Sequence, residues 1–502
     1  MSREGLRPLS VNSAQNVQLD PVTGDGWLPA KRRKTSTMGK TSAAKEVTST
    51  SVSLTKAQQA VVDLVLRGRS VFLTGAAGTG KSVVLQELNR QAKRQVALTA
   101  ATGVAALLIG GETKHSWSGL GQAKGTSAEL VERVRMDAAA CNRWLAARLL
   151  VIDEVSMISA HLLDTLDQCG RVCRGVPTVP FGNLPVLLCG DFHQLPPVAM
   201  DGWAFQAKVW KEAISVSLEL TEVLRTDPQE RQLAKALQEV REGLVSDGSW
   251  HFLQSLVTKP RPQNRCPVVV VPTNRQADEI NRAALQSAMK TSGEVYRYGA
   301  LHIGGGRRKE VPEELCLCQG TVVVLTSSIR VGPQGEVKWA NGLRCCVSGF
   351  VELPRRVYDH RHPDFEAIHG LNLRQFLLRH EGRLPKLQAL QDPSSERSEY
   401  VLYPVHLADG ASTGEGPGVV QLPIRLGWAL TAHRAQGASM DEGAVALLRG
   451  LFSPGQAYVA LSRCRRASDL WIEGLPARSA DGRVEAFTPD QEVQSFYEMM
   501  RG

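Results

Sequence analysis

One glycine-rich stretch, Val71–Ser82, constrains what this chain can fold into more than any other part of it. Its sequence, VFLTGAAGTGKS, begins with an apolar run of the β type and continues into a helical pattern, VVLQEL. Gly75, Gly80, Lys81 and Ser82 satisfy the spacing G-x-x-x-x-G-K-[ST]. In such a turn the glycines let backbone N–H groups converge on phosphate oxygens, and the helix N-terminus adds its dipole. The stretch therefore predicts a nucleotide-binding loop between a strand and a helix.

Each part of this loop has an expected role. Lys81 is expected to reach the β and γ phosphates, and Ser82 is expected to hold a Mg²⁺ ion. The residues expected to bind the nucleotide are consecutive: Gly75, Ala76, Ala77, Gly78, Thr79, Gly80, Lys81 and Ser82. The alternative is a chance glycine-rich turn, which the flanking strand and helix disfavour. Because kinases, GTPases and motors share this loop, the rest of the chain must distinguish among them.

Three polar side chains follow the ends of two further predicted strands. Asp153 and Glu154 come directly after the apolar run LLVI, at the carboxyl end of a strand, where open α/β sheets bind their ligands. Asp153 is expected to orient Mg²⁺ through its water shell, and Glu154 to polarise the water that attacks the γ-phosphate. Gln194 follows the apolar run at 185–189 and is expected to touch the γ-phosphate or that water. The alternative for the acid pair is an exposed acidic turn.

Short apolar runs alternate with helical patterns along most of the chain. Thr55 is a plausible cap of a helix that ends near Gly68, and apolar runs follow at 71–73, 96–98 and 149–152. This alternation predicts an α/β fold in which helices wrap parallel sheets. At 502 residues the chain is long enough for two or three domains, each with its own core.

Charge and cysteine usage set broader limits. The net charge of +9 favours an anionic partner, but a mildly basic protein without a polyanion partner is an equal alternative. No run of 18 apolar residues appears, which argues against a membrane span. The ten cysteines include no C-x-x-C pair, so they favour reduced, mostly buried thiols in an intracellular protein over a metal site.

The first 50 residues lack hydrophobic periodicity and are predicted to form a disordered basic tail. Within it, the basic cluster 31–34 suits a nuclear import signal or a loose nucleic-acid contact, and a solubilising charge patch is the alternative. A mitochondrial transit peptide is the rival for the same segment, but Glu4, Asp20 and Asp25 interrupt a region that should be poor in acids. The expected localisation is the nucleus, with the mitochondrion as the alternative.

The order of sequence blocks in this chain resembles the petite-integration-frequency (PIF-type) family of DNA helicases, in the RecD-like branch of superfamily 1. The first block, LTKAQ at Leu54, ends at Gln58, and the resemblance continues to about Leu475. The blocks that follow in chain order are the phosphate loop, TAATG at Thr99, GGETKHS at Gly110, DEVSM at Asp153, GDFHQLPP at Gly190, LTEVLRT at Leu220, LTAHRAQGAS at Leu430 and GQAYVALSRCRRASDL at Gly455. One departure is His193, where the family often has an aromatic residue such as Phe, so a pH-sensitive contact is left open there.

The resemblance implies two RecA-like P-loop domains with ATP in the cleft between them. Residues 51–228 would form the first domain, with the ATP and Mg²⁺ site. Residues 229–336 and 421–502 would form the second, interrupted by a small β-barrel insertion at 337–420. A polar stretch at 355–399 looks longer than such a barrel needs.

The resemblance also implies nucleotide contacts that the residues alone do not indicate. Gln58 would read the adenine edge. Arg225 and Arg463 would reach across the cleft as arginine fingers that place positive charge on the departing γ-phosphate. Without the motif context, each arginine would more simply be a surface residue in a salt bridge.

The implied DNA-binding residues lie along the top of both RecA-like domains: Thr102, His115, Trp117, Thr431, His433, Arg434, Gln456, Tyr458, Arg465 and Arg466. Hydroxyl and imidazole groups suit phosphate contacts, and Trp117 could stack on a base. Core packing is an equally weighted alternative for Trp117. For Arg465 and Arg466 the alternative is a solvated basic turn.

The activity implied by the resemblance is that of an ATP-dependent DNA helicase. Such an enzyme would be a DNA-stimulated ATPase that uses Mg²⁺, moves 5′-to-3′ on single-stranded or forked DNA and unwinds duplexes in genome maintenance, as a monomer. The alternatives are a translocase that remodels nucleoprotein or unusual DNA without processive unwinding, and a DNA-binding scaffold whose ATPase is idle.

Overall fold

The computed structural model describes residues 6–9, 54–92, 95–121, 123, 125–197, 201–222, 227–262, 265–306, 308, 311–331, 336–362, 371–390, 399–408 and 416–501. Most of the predicted tail, its basic cluster 31–34 and the predicted finger Arg225 lie outside these residues. The short segment Leu6–Leu9 is a β-strand.

A seven-stranded sheet organises the first α/β unit. Its elements in chain order are β1 (Leu6–Leu9), α1 (Lys56–Leu66), β2 (Val71–Gly75), α2 (Lys81–Ala92), β3 (Val96–Ala100), α3 (Gly103–Leu108), β4 (Glu112–Thr113), α4 (Lys114–Ser118), α5 (Ser127–Met136), α6 (Ala138–Ala146), β5 (Leu149–Asp153), α7 (Ala160–Arg174), β6 (Val186–Cys189), α8 (Lys208–Ala213) and β7 (Val216–Leu220). The strand order is β1-β7-β2-β6-β5-β3-β4, and only β1 runs antiparallel to its neighbour.

The central strands of this sheet are buried along their whole length, because helices cover both faces. This explains why β2, β5 and β6 are continuous apolar runs rather than alternating patterns. Since parallel strands end at one edge of their sheet, Gly75, Asp153 and Cys189 lie at the same edge. The loops that carry the predicted catalytic residues therefore meet there.

Three helices and a strand begin the second α/β unit, and a β-rich region then interrupts it. The first elements are α9 (Pro228–Glu242), α10 (Asp247–Thr258), β8 (Val268–Val271) and α11 (Asn274–Thr291). The β-rich region contains β9 (Tyr296–Gly299), β10 (Leu301–Ile303), β11 (Glu314–Leu317), β12 (Val322–Leu325), β13 (Ile329–Val331), β14 (Glu336–Trp339), β15 (Arg344–Glu352), α12 (Arg355–Tyr358), α13 (Leu371–Arg379), β16 (Arg383–Ala389), β17 (Glu399–Val401), β18 (Val405–Ala408), β19 (Gly418–Gln421) and β20 (Ile424–Leu426).

The β-rich region starts at Tyr296, about forty residues before the expected boundary at 337. Its described strands pair antiparallel in four separate sheets, the largest in the order β17-β16-β15-β12-β20. Among these described strands, no closed ring of pairings forms the predicted barrel. The described parts of the polar stretch 355–399 contribute Phe376, Leu384 and Leu387 to the core of this region, so they are part of its packing.

The remaining elements complete the second unit and then return to the first. They are β21 (Ala429–Thr431), α14 (Ala432–Ala435), β22 (Ala444–Leu447), α15 (Gln456–Leu461), β23 (Leu470–Glu473) and α16 (Gln491–Arg501). The strands of the second unit form an all-parallel sheet in the order β21-β8-β22-β23. Helix α16 instead buries Val493, Phe496 and Tyr497 in the core of the first unit, although the sequence grouped 421–502 with the second.

No helix in the described parts of the chain is both long and apolar enough to cross a membrane. The described residues also bring together no group of three or more His, Cys, Asp or Glu side chains that could hold a metal ion.

Candidate nucleotide site and nucleic-acid groove

The turn between β2 and α2 has a backbone that requires glycine. Gly75, Gly78 and Gly80 have φ angles of 149°, 87° and 84°, which side chains rarely adopt. A Cβ atom on Gly75 would lie 2.5 Å from the carbonyl oxygen of Leu220 on the neighbouring strand. The loop is thus a close-packed backbone turn at the start of a helix, as a phosphate cradle needs.

Two side chains donate hydrogen bonds to the backbone of this turn. Lys81 Nζ donates hydrogen bonds to the carbonyl oxygens of Gly75 and Ala76, at 2.6 and 3.1 Å, so its ammonium group lies over the loop. Gln58 is buried, and its Nε2 donates to the carbonyl oxygens of Thr79 and Gly80 at 3.4 and 3.5 Å. The expected adenine-reading residue is therefore in contact with the phosphate loop.

The acid pair lies where β5 ends, at the same edge as the loop. Asp153 is the last residue of the strand and is buried, and Glu154 continues from it in a left-handed conformation, with φ 57° and ψ 47°. Burial and the neighbouring charge of Glu154 raise the pKa of Asp153 to about 7. A cation beside Asp153 would offset both effects, and its carboxylate together with the Ser82 hydroxyl supplies the hard oxygen ligands that Mg²⁺ prefers.

A glutamine of the second unit holds the predicted general base. Gln436 follows α14 and is completely buried. Its Nε2 donates to Glu154 Oε2 at 3.1 Å and to Ser156 Oγ at 2.9 Å. The carboxylate that would polarise the attacking water is thus oriented from across the cleft.

Tyr458, on α15 of the second unit, contacts the phosphate loop directly. Its hydroxyl accepts the N–H of Ala77 at 2.8 Å. The preceding turn also fits closely, because a Cβ on Gly455 would lie 2.6 Å from the carbonyl oxygen of Gln194. Gln194 is itself buried, so the sensor loop is packed between the two units.

Arg463 is buried and bonded within its own unit. Its guanidinium donates to the carbonyl oxygens of Val459, Ala435 and Ala438 at 2.7, 3.2 and 3.2 Å, and to Ser462 Oγ at 2.8 Å. Burial lowers the pKa of Arg463, and the charge of Glu154 across the cleft acts in the opposite direction. Arg463 thus lies close enough to the acid pair to sense its charge, but its hydrogen bonds hold it on the second unit.

A buried ion pair beneath the site was not expected from the sequence. Arg241, on α9, donates to both carboxylate oxygens of Asp191, at 2.9 and 3.0 Å. Burial opposes the charge of Asp191, but Arg241 outweighs it and lowers the pKa of Asp191 to about 2. Asp191 lies in the GDFHQ block, one of the sequence blocks that carry the family resemblance. Its partner Arg241 lies 50 residues away in sequence, so no local pattern predicted the pair.

His193 has a packing role. Its ring stacks on Tyr497 of α16, with centroids 4.8 Å apart and planes 12° from parallel. Burial lowers the pKa of His193 to about 3, and the nearby Arg241 acts in the same direction. The imidazole is therefore neutral at physiological pH, and the pH-sensitive contact that the sequence left open does not fit this position.

A groove with a volume of about 820 Å³ lies between the two units. Four of the residues expected to contact DNA line it: Thr102, His115, His433 and Arg434. Arg425 and Asn341 of the β-rich region line it as well, so all three regions contribute to its walls. Arginines from two walls give the groove a positive charge that suits a polyanion.

Three other expected DNA contacts are buried elsewhere. Trp117 packs in the core of the first unit against Trp144, with ring centroids 4.6 Å apart. Gln456 is completely buried, and its Oε1 accepts the N–H of Phe452. Tyr458 belongs to the nucleotide side, as described above. We therefore do not propose that these three residues contact DNA in the groove.

The last three expected DNA contacts are not among the residues that line the groove. Thr431 is buried where β21 ends. Arg465 and Arg466 are exposed and lie 3.7 and 3.1 Å from the carboxylates of Asp441 and Asp469. The two arginines resemble the solvated basic turn that was the alternative for them.

Comparison with known proteins relates the chain to one family of helicases. The profile of the family described as PIF1-like helicase matches residues 53–249. The chain is 33% identical to the ATP-dependent DNA helicase PIF1 of Homo sapiens over 465 residues, covering 90% of this chain and 65% of that protein. It is 30% identical to the ATP-dependent DNA helicase RRM3 of Saccharomyces cerevisiae, covering 90% of this chain and 68% of that protein.

Solved structures give the same result for the fold. The crystal structure of Pif1 helicase from Candida albicans matches with a TM-score of 0.72 and 28% identity, over 89% of this chain and 98% of that one. Bacteroides Pif1 bound to ssDNA matches in fold with a TM-score of 0.66 and 22% identity, over 89% and 96% of the two chains. From the family profile, the relatives and the structures together, this chain belongs to the PIF1-like helicase family.

Proposed function

We propose that this chain is an ATP-dependent DNA helicase, that is, a DNA-stimulated ATPase that moves along single-stranded DNA and unwinds duplexes. The observation that carries the proposal is that residues of the second unit meet the phosphate loop and the acid pair of the first. Gln436 bonds Glu154, and Tyr458 bonds Ala77. A site divided between two units can change their separation when its nucleotide changes, which a motor requires and a static binding site does not.

We assign a role to each residue of the proposed nucleotide site. The amides of residues 75–82 and the ammonium of Lys81 would bind the phosphates, and Gln58 would face the adenine. Ser82 and Asp153 would hold Mg²⁺, which when bound neutralises charge on the β and γ phosphates. Glu154, oriented by Gln436, would accept a proton from the attacking water, and Gln194 would touch the γ-phosphate or that water.

The arginine fingers remain part of the proposal. Arg463 is held 3.2 Å from carbonyl oxygens of its own unit, so it would have to exchange these bonds for the γ-phosphate when the cleft closes. A phosphate is a stronger partner for guanidinium than a neutral carbonyl, which favours that exchange. We assign the same role to Arg225 from the family resemblance.

The groove supports single-stranded DNA as the track. Arg434 and Arg425 would bind phosphates, and Thr102, His115 and His433 would add polar contacts along the strand. Because the groove is walled by both units, opening and closing of the ATP cleft would alter the grip on each side in turn. A 5′-to-3′ direction, a monomeric state, a nuclear or alternatively mitochondrial location and a role in replication, repair, recombination or telomere maintenance are part of the same proposal, on family resemblance.

The test is an unwinding assay, with and without Mg-ATP, on two duplexes that each carry one single-stranded tail, a 5′ tail in one and a 3′ tail in the other. The proposal expects strand separation only with Mg-ATP and only from the duplex whose tail permits 5′-to-3′ movement. ATP turnover with displacement of a bound protein but without strand separation would favour the translocase. The absence of any DNA-stimulated turnover would favour the scaffold.

A further inference from the structure

Helix α16 crosses from the second unit to the first and ends beneath the ATP site. Phe496 stacks on Phe205 with centroids 4.2 Å apart, which fixes the helix in the core of the first unit. At the end of the helix, Arg501 donates to both carboxylate oxygens of Glu219 on β7, at 3.1 and 3.0 Å. The helix is therefore held at both sides of one buried side chain, Tyr497.

The hydroxyl of Tyr497 contacts both the strand end before the phosphate loop and the loop that carries Gln194. Its oxygen lies 2.8 Å from Oγ1 of Thr74, the residue before the first glycine of the phosphate loop. The same oxygen accepts the N–H of Phe192 at 3.2 Å, and it lies within donor distance of Asp191 Oδ1, at 3.4 Å. Phe192 is two residues before the sensor Gln194. One hydroxyl thus joins β2 to the loop that follows β6.

The ring of Tyr497 is fixed as firmly as its hydroxyl. His193 stacks on it, and the guanidinium groups of Arg241 and Arg501 lie 5.4 and 5.8 Å from its centre. Burial raises the pKa of Tyr497, so the hydroxyl stays protonated and can donate as well as accept. Because the contacts around its ring fix Tyr497, its hydroxyl fixes the distance between the groups that it bonds.

We propose that Tyr497 is a positioning residue for ATP hydrolysis, which sets the sensor loop of Gln194 against the phosphate loop through its bonds to Thr74 and Phe192. The inference rests on the proposed ATPase activity and assigns α16 to the ATP site. Tyr497 does not touch the nucleotide in this scheme. Its loss would leave ATP binding intact and would move Gln194 relative to the γ-phosphate.

A core role alone would predict something different. The Tyr497→Phe substitution keeps the ring, its stacking on His193 and the apolar contacts of α16, and removes only the oxygen. If the helix served packing alone, turnover would be nearly unchanged. A positioning role predicts that kcat falls by about tenfold or more, because Gln194 would no longer be held against the γ-phosphate, while KM for ATP stays within twofold.

The experiment measures DNA-stimulated ATP turnover of the full chain for Tyr497→Phe, Thr74→Val and the double variant. Thr74→Val removes one of the same bonds from the other side and keeps the side-chain shape. Because Tyr497→Phe already removes that bond, the double variant is expected to have the kcat of Tyr497→Phe alone. The matched control is Tyr298→Phe, a buried tyrosine of the β-rich region whose hydroxyl has no hydrogen-bond partner among the described residues.

Wild-type turnover and its loss in Lys81→Ala verify the ATPase in the same assay. Failure of the proposed ATPase activity can therefore be distinguished from failure of the proposed role of Tyr497. With that ATPase verified, a Tyr497→Phe enzyme with kcat within twofold of wild type overturns the inference. So does a loss carried by KM, or a double variant whose loss is the product of the two single losses. Thermal unfolding of each variant accompanies the kinetics, and a kcat loss that Tyr298→Phe shares would also overturn the inference.

Discussion

Single residues of the nucleotide site divide into those that local sequence reveals and those that it hides. The glycines, Lys81 and Ser82 lie within eight positions of one another, so their spacing alone predicts their geometry. Gln436 and Tyr458 meet their partners Glu154 and Ala77 from 282 and 381 positions away. Contacts over such sequence separations cannot be predicted from periodicity or spacing, because they depend on how two folded units dock.

Lys81→Ala is expected to abolish ATP hydrolysis, since Lys81 places its ammonium group over the phosphate loop, where it would bind the β and γ phosphates. Turnover with saturating single-stranded DNA is the measurement. Lys211→Ala, an exposed lysine on α8, is the control. Turnover that persists in Lys81→Ala would mean that hydrolysis occurs at another site.

Glu154→Gln is expected to bind ATP but to lower turnover at least a hundredfold, because the amide retains the shape and cannot accept the proton from water. ATP affinity measured with a fluorescent nucleotide, beside steady-state turnover, separates the two effects. Glu132→Gln, an exposed partner of Arg135 on α5, is the control. Equal losses of affinity and turnover would argue against a general base at Glu154.

At the scale of elements, the direction in which each side chain points depends on how its helix or strand packs, and the sequence motifs do not reveal this. All six residues of α15 are buried, from Gln456 to Leu461, so this helix presents no exposed face, and the Tyr458 hydroxyl instead contacts the phosphate loop. The motif order marked the block that contains α15, but a sequence motif does not indicate which faces of a helix are covered. The β-rich region behaved similarly, since its patterns predicted strands and not their pairing, which depends on register.

The groove makes a prediction for the element α14. Arg434→Ala is expected to weaken single-stranded DNA binding about tenfold, because a charged hydrogen bond to phosphate is lost. The slope of log affinity against log salt should fall by about 0.7, the value for one phosphate contact on a single strand. Arg135→Ala, an exposed arginine paired with Glu132, is the control. An unchanged salt slope would place the strand outside this groove.

At the scale of the whole molecule, several contacts among the described residues join the two units, among them helix α16, the Gln436–Glu154 and Tyr458–Ala77 hydrogen bonds and the Asp191–Arg241 pair. Arg241 lies on α9, whose apolar residues pack in the core of the second unit, whereas Asp191 follows β6 of the first. Both side chains are almost completely buried. Removing Arg241 would leave the buried carboxylate of Asp191 without its cationic partner.

Arg241→Ala is accordingly expected to lower the free energy of unfolding by about 3–5 kcal/mol, measured by denaturant titration. Arg261→Ala, which breaks an exposed pair with Glu473, should cost less than about 1 kcal/mol. Similar losses in both variants would show that Arg241 contributes no more than a surface arginine.

The same pair gives a pH dependence with a definite sign. The pKa of Asp191 is about 2 in the folded chain, below the value near 3.9 of an unfolded aspartate. Its contribution to stability is therefore fully present above about pH 4 and is lost as the pH falls towards 2. The difference in unfolding free energy between wild type and Asp191→Asn should shrink over that range. A difference that is constant from pH 6 to pH 2.5 would contradict this.

The return of α16 also has a consequence for synthesis on the ribosome. Tyr497 is made 423 positions after Thr74, so the first unit emerges without the helix that fills its core. Until then, the apolar surface around Phe72 and Trp210, which Phe496 later covers, stays open to chaperones and to wrong contacts. Molecules cut short before residue 491 would carry every glycine of the phosphate loop and still leave that surface uncovered.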